Sequence, residues 1–213
     1  MWTWDTPAAD LLGAASSALS ASSLVFQGSD PDYAARLLSH ARQLYAWAAA
    51  KPGKYNAAHP IATKVYSSSR YLDKLLLAAA WLRRATGEAA FADAALAHWQ
   101  AASPGGGDIY VGWDSTTVPA AILLLGLPGQ AVPGASLYRS FLEYTYLPPW
   151  QEAKWGIAKT PKGLCYPSWS QWGNLRHSAN AAFMQLMYAR ATPSCAACLT
   201  FAKAQADYML GSS

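Results

Sequence analysis

The 213 residues predict an all-α fold, on three observations. Apolar side chains recur at helical spacing: Tyr33, Leu37, Ala41, Leu44 and Ala48 step by four, four, three and four, which is one stripe of a 3.6-residue repeat. Helix-opening grammar also recurs, with Thr6 before Pro7 and Asp30 before Pro31, a capping side chain followed by the residue whose missing N–H is harmless in a first turn. No segment alternates apolar and polar residues between hairpin turns, so a sheet is not expected.

The elements follow in order. Thr6 and Pro7 open a first helix that runs to about Phe26 and stops at Gly28; Asp30 and Pro31 open a second that ends before Pro52 and Gly53. A third starts after Ser69, carries Asp73 where the macrodipole favours an anion, and ends at Gly87, and a shorter partner runs from Glu88 to about Ala101. Pro104, Gly105, Gly106 and Gly107 form a loop, after which Asp114 can cap a helix through Leu125, broken by Gly126 and Pro128. Gly129 to Pro167 reads as irregular, with one helix around Leu137 to Tyr146 and a loop rich in Pro and Trp after it. Helices return from Leu175 to about Arg190 and from Ser194 to Leu210, with Gly211 as the stop. No fixed repeat period appears, which favours a helical barrel or irregular bundle over a solenoid, in a single domain over residues 1–213.

Composition narrows the function classes. With 53% hydrophobic and 13% charged residues the chain is globular, and its ten Trp are a heavy aromatic load. The 16 Lys and Arg behind the net charge of +4 are spread without a basic run or face, so nucleic acid is not an expected partner. Leu75 to Leu82, read as the longest strongly apolar run, falls well short of the roughly 20 residues a bilayer span needs, and no membrane segment is expected. Met1 to Pro7 holds Trp2, Trp4 and Asp5 but no basic residue ahead of an apolar block, which is not the pattern of a signal peptide. Cys165, Cys195 and Cys198 are an odd set that argues against a disulfide framework, and Cys195 and Cys198 read as two thiols on the first turn of the last helix. With no second close Cys or His pair to complete four ligands, neither a metal nor another cofactor is expected. His40 and His98 read as helix-surface residues and His59 as a loop residue. No nucleophile turn and no phosphate-binding glycine loop is present.

Four segments go beyond composition. ADLLGAASSALSASSLVFQGSDPDYAARLLSHARQLYAWAAA, from Ala9 to Ala50, is followed by YLDKLLLAAAWLRRATGEAAF from Tyr71, WSQWGNLRHSANAAFMQLMYA from Trp169, and KAQADYMLGSS at the end. In this order they resemble the Ala-rich helix with its Ser-Asp-Pro turn, the Tyr-x-Asp-Glu-Leu helix, the Trp-Gly-x-Leu-Arg segment and the Tyr-x-Leu-Gly ending of family 9 glycoside hydrolases. The resemblance implies about half of an (α/α)6 barrel, two concentric rings of helices with a glucan cleft across one end. It also implies an endo-1,4-β-glucanase that works by inversion without a cofactor, and a secreted or extracellular location. Inverting enzymes hold two carboxyls roughly 6.5–9.5 Å apart, a general base and a general acid. The family draws them from an Asp-Ala-Gly-Asp motif and a later Glu. The twelve acids here contain no Asp-x-x-Asp, and the near pair Asp30 and Asp32 sits where capping is expected. Both catalytic carboxylates are therefore expected to lie outside this chain, leaving it inactive by itself.

Sugar rings stack on flat aromatics while their hydroxyls pair with Arg, Asp and His. Trp172, Arg176 and His177 meet that need around one helix start, and by resemblance they line the family's cleft, where the last is usually Tyr. The plainer reading has Trp172 in the core and Arg176 as a solvated charge. Trp113 and Asp114 resemble the family's Trp-Asp-x-Lys, with Thr116 in place of Lys, and Asp114 serves equally well as an N-cap. Tyr66 is a further aromatic candidate in the loop before the third helix. Asp10 keeps its family position, whereas Lys74 and Ala14 stand where Glu is usual, departures expected to loosen a structural network. The favoured partner is a β-glucan. A non-catalytic glucan-binding remnant and a helical scaffold for a protein partner are the alternatives, and self-association through exposed half-barrel faces is expected.

Overall fold

A computed structural model describes residues 5–127, 129, 131–193 and 195–212; the expectations for Trp2, Trp4, Pro128 and Ser194 fall outside these residues. The described chain is mostly helical and divides between Ser103 and Pro104 into two compact units.

The first unit holds α1 (Ala9–Phe26), α2 (Pro31–Ala50), α3 (Tyr55–Ala58), a 3-10 turn (Pro60–Lys64), α4 (Leu72–Thr86) and α5 (Ala89–Ala102). Helix α1 packs on both α2 and α4, and α4 on α5. Its buried face, Ala9, Gly13, Ser16, Ser17, Ser20 and Ser23, is small enough for close approach: a Cβ on Gly13 would come within 3.0 Å of the Lys74 backbone. The Ser16 hydroxyl donates to the Ala41 carbonyl at 2.8 Å and that of Ser17 to Gly13 at 2.9 Å. Among the described residues α1 is also the one helix long and apolar enough to cross a membrane by length and composition, which the focus on Leu75 to Leu82 overlooked.

Helix α1 begins at an Ala8 N-cap without a side-chain bond, so Thr6 does not cap it. Pro7 instead packs at Gly53, where a Cβ would lie 2.9 Å from its ring. The first turn is tied down by Asp10, buried at 4% exposure, whose carboxylate accepts from the Leu11 amide at 3.0 Å and the Tyr55 amide at 3.1 Å. The Asp30 cap forms as expected, accepting from the Tyr33 amide at 2.9 Å. The α2 stripe is rotated slightly from the prediction: Ala34, Leu37, Ala41, Tyr45 and Ala48 are buried, whereas Tyr33 and Leu44 are half-buried. Tyr45 explains the shift and corrects the reading of His98 as a surface residue. Its hydroxyl pairs with His98 Nε2 at 2.9 Å and its ring meets Phe91 edge-on at 5.7 Å. Burial pushes the Tyr45 hydroxyl up to about 12 and the His98 imidazole below its usual value.

Asp73 and Lys74 open α4 inside the core at 1% and 4% exposure, with Lys74 Nζ 2.9 Å from Asp73 Oδ2. At position 74 the substituted cation brings a buried countercharge to its own neighbour. At the other end Gly87, at φ +75°, closes α4, and its amide bonds Arg83 O at 2.9 Å.

The second unit holds a 3-10 turn (Gly106–Asp108), α6 (Thr117–Leu125), α7 (Ala135–Ser140), a π turn (Phe141–Tyr146), α8 (Leu147–Glu152), strands β1 (Ile157–Lys159) and β2 (Cys165–Pro167), α9 (Asn174–Ala191) and α10 (Ala196–Met209). Three expectations are corrected. The first part of the Pro- and Trp-rich segment, Leu147–Glu152, is helical and not loop, and continues from α7 through the π turn. Pro148 and Pro149 have no N–H to bond back into the turn before them, and just ahead of them the Leu147 amide bonds Leu142 O in the wider π register. A sheet does exist, a two-stranded antiparallel hairpin pairing Ile157 with Pro167 and Lys159 with Cys165. Its three-residue strands are too short to show an alternating pattern in sequence. Finally, Cys195 and Cys198 are joined in a disulfide, their Cα atoms 5.4 Å apart, and only Cys165 is free. An odd count excludes complete pairing of the set, and one turn of helix suffices to bring two of its members together. Helix α10 ends as predicted at Gly211, φ +81°, with the Ser212 amide reaching back to Asp207 O at 2.8 Å.

Candidate functional site

The start of α9 is built for display. Gly173, at φ +58°, is its N-cap, a left-handed turn that a Cβ would crowd at 3.4 Å from the Arg176 guanidinium. Around it Ser170 Oγ donates to Trp172 O at 3.2 Å and Asn174 Nδ2 to Ser170 O at 2.9 Å. This turn throws Trp172 outward to 80% exposure, so it is not a core residue. Arg176 is exposed on the first turn, and His177 beside it is buried at 7% exposure.

Two further anchors fix α9. Ser178 Oγ donates to Cys165 O of β2 at 2.7 Å, and Asn180 Nδ2 donates to Val111 O at 2.9 Å, drawing in the segment that carries Tyr110. The result is an aromatic cluster: Tyr110 meets Trp169 edge-on at 5.1 Å, Trp169 meets His177 at 5.6 Å, and Tyr110 meets His177 and buried Trp150 at 6.4 Å each. Trp169 is 55% exposed, so the cluster is open on one side.

Arg176 Nε donates to His177 Nε2 at 3.2 Å. That bond makes Nε2 the acceptor and assigns the ring proton to Nδ1, which is buried without a partner. Burial, and then the neighbouring Arg176 charge, hold the imidazole below its ordinary 6.5. The folded state therefore favours neutral His177. The stabilisation this brings is fully present above pH 6.5 and is lost as pH falls through 6.5 and then through the lower folded value. His98 is depressed in the same direction. Melting temperature should fall as pH drops below about 6.5, and His177→Phe should flatten the part of that fall that His98→Phe leaves behind; parallel profiles for all three proteins would contradict it.

Among the sequence candidates, the structure brings Arg176 and His177 together and places Trp172 at the turn before them. Trp113, 61% exposed, lies with half-buried Asp114 in the tight turn closed by the Gly112–Ser115 bridge, three residues beyond Tyr110 in the case of Trp113. Asp114 is not the N-cap of α6: that helix starts at Thr117 with Thr116 at its cap position. The earlier acid, Asp108, holds the helix start instead, accepting from Thr117 Oγ1 at 3.2 Å and from the Gly105 amide at 3.0 Å. Tyr66 belongs to the first unit, where its ring stacks on Tyr55 at 5.7 Å and its carbonyl accepts from the Tyr55 hydroxyl. Tyr110 and Trp169 were not singled out from sequence, although Trp169 stands three residues before Trp172 in the same motif. No group of three or more His, Cys, Asp or Glu that could hold a metal occurs among the described residues.

The family model described as Glycosyl hydrolase family 9 matches residues 1–213, which places this helical chain among the glycoside hydrolases. The chain belongs to glycosyl hydrolase family 9. It is 36% identical to Endoglucanase 15 of Arabidopsis thaliana, over 97% of this chain and 44% of that protein. Among solved structures it is similar to the endoglucanase of the termite Nasutitermes takasagoensis, at TM-score 0.80 and 36% identity over 96% of this chain and 45% of that one. It is also similar to the cellulase Cel9M of C. cellulolyticum in complex with cellobiose, at TM-score 0.82 and 28% identity over 99% and 46%. The chain thus spans under half the length of the relatives it matches, and its fold is that of about half of their (α/α)6 barrel.

Proposed function

We propose that both units belong to one endoglucanase catalytic domain, and that this chain supplies part of its β-glucan cleft. In the whole protein the reaction is endo-hydrolysis of 1,4-β-glucosidic bonds in cellulose or a related glucan, by inversion and without a cofactor. The observation that carries this reading is the exposed Trp172 and Arg176 beside the Tyr110, Trp169 and His177 cluster. A sugar face stacks on Trp172, its hydroxyls take Arg176 donors, and the unpartnered His177 Nδ1–H gains an acceptor in a sugar oxygen. Trp113 and Asp114 extend this surface within the second unit, and Tyr66 is a separate aromatic candidate within the first. The carboxylate pair is not drawn from these residues, since none of the twelve acids stands in an Asp-x-x-Asp. The likeness to a cellulase solved with cellobiose supports the substrate class. The Cys195–Cys198 disulfide supports a secreted or extracellular setting, where such bonds persist.

Calorimetric titration of the chain with cellohexaose tests the cleft. Trp172→Ala should weaken binding about 10-fold or more, the loss of roughly 1.4 kcal/mol or above expected of an exposed aromatic anchor, without changing the melting temperature. Equal affinity in wild type and variant, or no sugar binding at all, would overturn the assignment.

A further inference from the structure

The Cys195–Cys198 disulfide sits at the N-terminus of α10, where Cys195 is the N-cap and Cys198 the third helical residue. The two sulfurs are not equivalent. Cys195 is partly exposed, whereas Cys198 is 0% exposed. No side chain caps α10, so its positive end has only Cys195 at the position where a capping anion belongs. Behind Cys198, Gln151 Nε2 donates to Gln185 Oε1 at 2.9 Å and lies 3.8 Å from Cys198 Sγ. Gln185 is itself fully buried, and its Nε2 has no partner.

From this arrangement we propose that Cys195–Cys198 is a thiol–disulfide exchange site that takes small dithiol reductants, and not a static crosslink. Three physical arguments bear on it. The bond encloses only two intervening residues, and a disulfide constrains the unfolded chain less the shorter its loop, so little folding stability opposes its opening. A Cys195 thiolate at the uncapped helix start is met by the positive end of the macrodipole, which favours the opened form. A Cys198 sulfur bearing charge as it leaves is met by the Gln151 amide.

The exchange balances in two steps. A thiolate of the reductant attacks the exposed Cys195 Sγ, forming a mixed disulfide and breaking the Cys195–Cys198 bond, and Cys198 departs as a thiolate that takes a proton from solvent. The reductant's second thiolate then attacks its own sulfur in the mixed disulfide and releases Cys195 as the thiolate. The dithiol is oxidised by two electrons to its disulfide, and both cysteines are reduced. The consequence is local: α10 packs on α9 and α8, and the opened bond frees the start of α10 from its tie.

The test uses the intact chain under native conditions. Millimolar dithiothreitol followed by iodoacetamide should alkylate Cys195 while buried Cys165 and Cys198 stay unmodified, with the far-UV circular dichroism unchanged. In a parallel sample, reduced, freed of dithiothreitol and left unalkylated, oxidised glutathione should restore the disulfide. Cys198→Ser should trap glutathione as a stable adduct on Cys195, whereas Cys195→Ser should leave Cys198 unmodified in the folded protein. Reduction that occurs only in denaturant, or only together with loss of the helical signal, would overturn the proposal, as would failure of the bond to re-form.

Discussion

Replacing Asp73 by Ala is expected to destabilise the first unit by about 3–5 kcal/mol, because it takes a buried countercharge away from the Lys74 ammonium. Both partners are almost wholly inaccessible to solvent, so neither can recover hydration while the helices stay packed. Gly13 of α1 lies so near that a Cβ there would come within 3.0 Å of the Lys74 backbone, so α4 is held close against α1 at this point. Replacing Lys74 by Met should be similarly costly in isolation, since it takes the buried cation away from the Asp73 carboxylate. The double variant should recover much of the loss, because removing both charges removes the desolvation penalty that each would face alone. Urea unfolding gives the free energies, and amide hydrogen exchange in α4 and α5 assigns the effect to this unit. Single-variant losses below about 1 kcal/mol would show that the pair is hydrated, as surface pairs are.

That pair also marks where sequence reading ended. Lys74 was legible as a departure from Glu, but the sign of its effect depended on burial, which no local pattern reports. Features written within one turn of chain were legible: the Asp30 cap, the Gly87 stop and the Gly211 stop each rest on a residue whose own geometry decides the outcome. Features that depend on neighbours were not. Thr6 and Pro7 look like a helix start, but Pro7 is held at Gly53, 46 residues away in sequence. Asp114 looks like a cap, but the Gly112–Ser115 bridge closes a turn there and delays the helix to Thr117. The candidate site divides in the same way. Trp172, Arg176 and His177 share one motif and were found together, whereas Tyr110 reaches them only because Asn180 and Val111 join across 69 residues. The disulfide was missed because counting cysteines ignores that positions three apart on a helix start face each other.

Trp150→Ala should cost about 3–5 kcal/mol, the range for emptying a core Trp site, and should also weaken sugar binding from beneath the site. Trp150 is 1% exposed, its indole donates to Ile109 O at 2.9 Å, and its ring supports Tyr110 at 6.4 Å. Truncation therefore leaves a cavity and an unsatisfied carbonyl directly before Tyr110, and Tyr110 is the ring against which Trp169 and His177 are set. Trp150→Phe separates the two contributions. It refills most of the space and should cost about 1–3 kcal/mol, chiefly for the orphaned Ile109 carbonyl. Cellohexaose titration below the melting range of each variant should then rank Trp150→Ala weaker than Trp150→Phe, with both showing lowered stability. Trp172→Ala should show the complementary signature, lost affinity at full stability. Should Trp150→Ala bind as wild type does while melting lower, the aromatic cluster would be packing alone, and the recognition of sugar would rest on Trp172 and Arg176 without it.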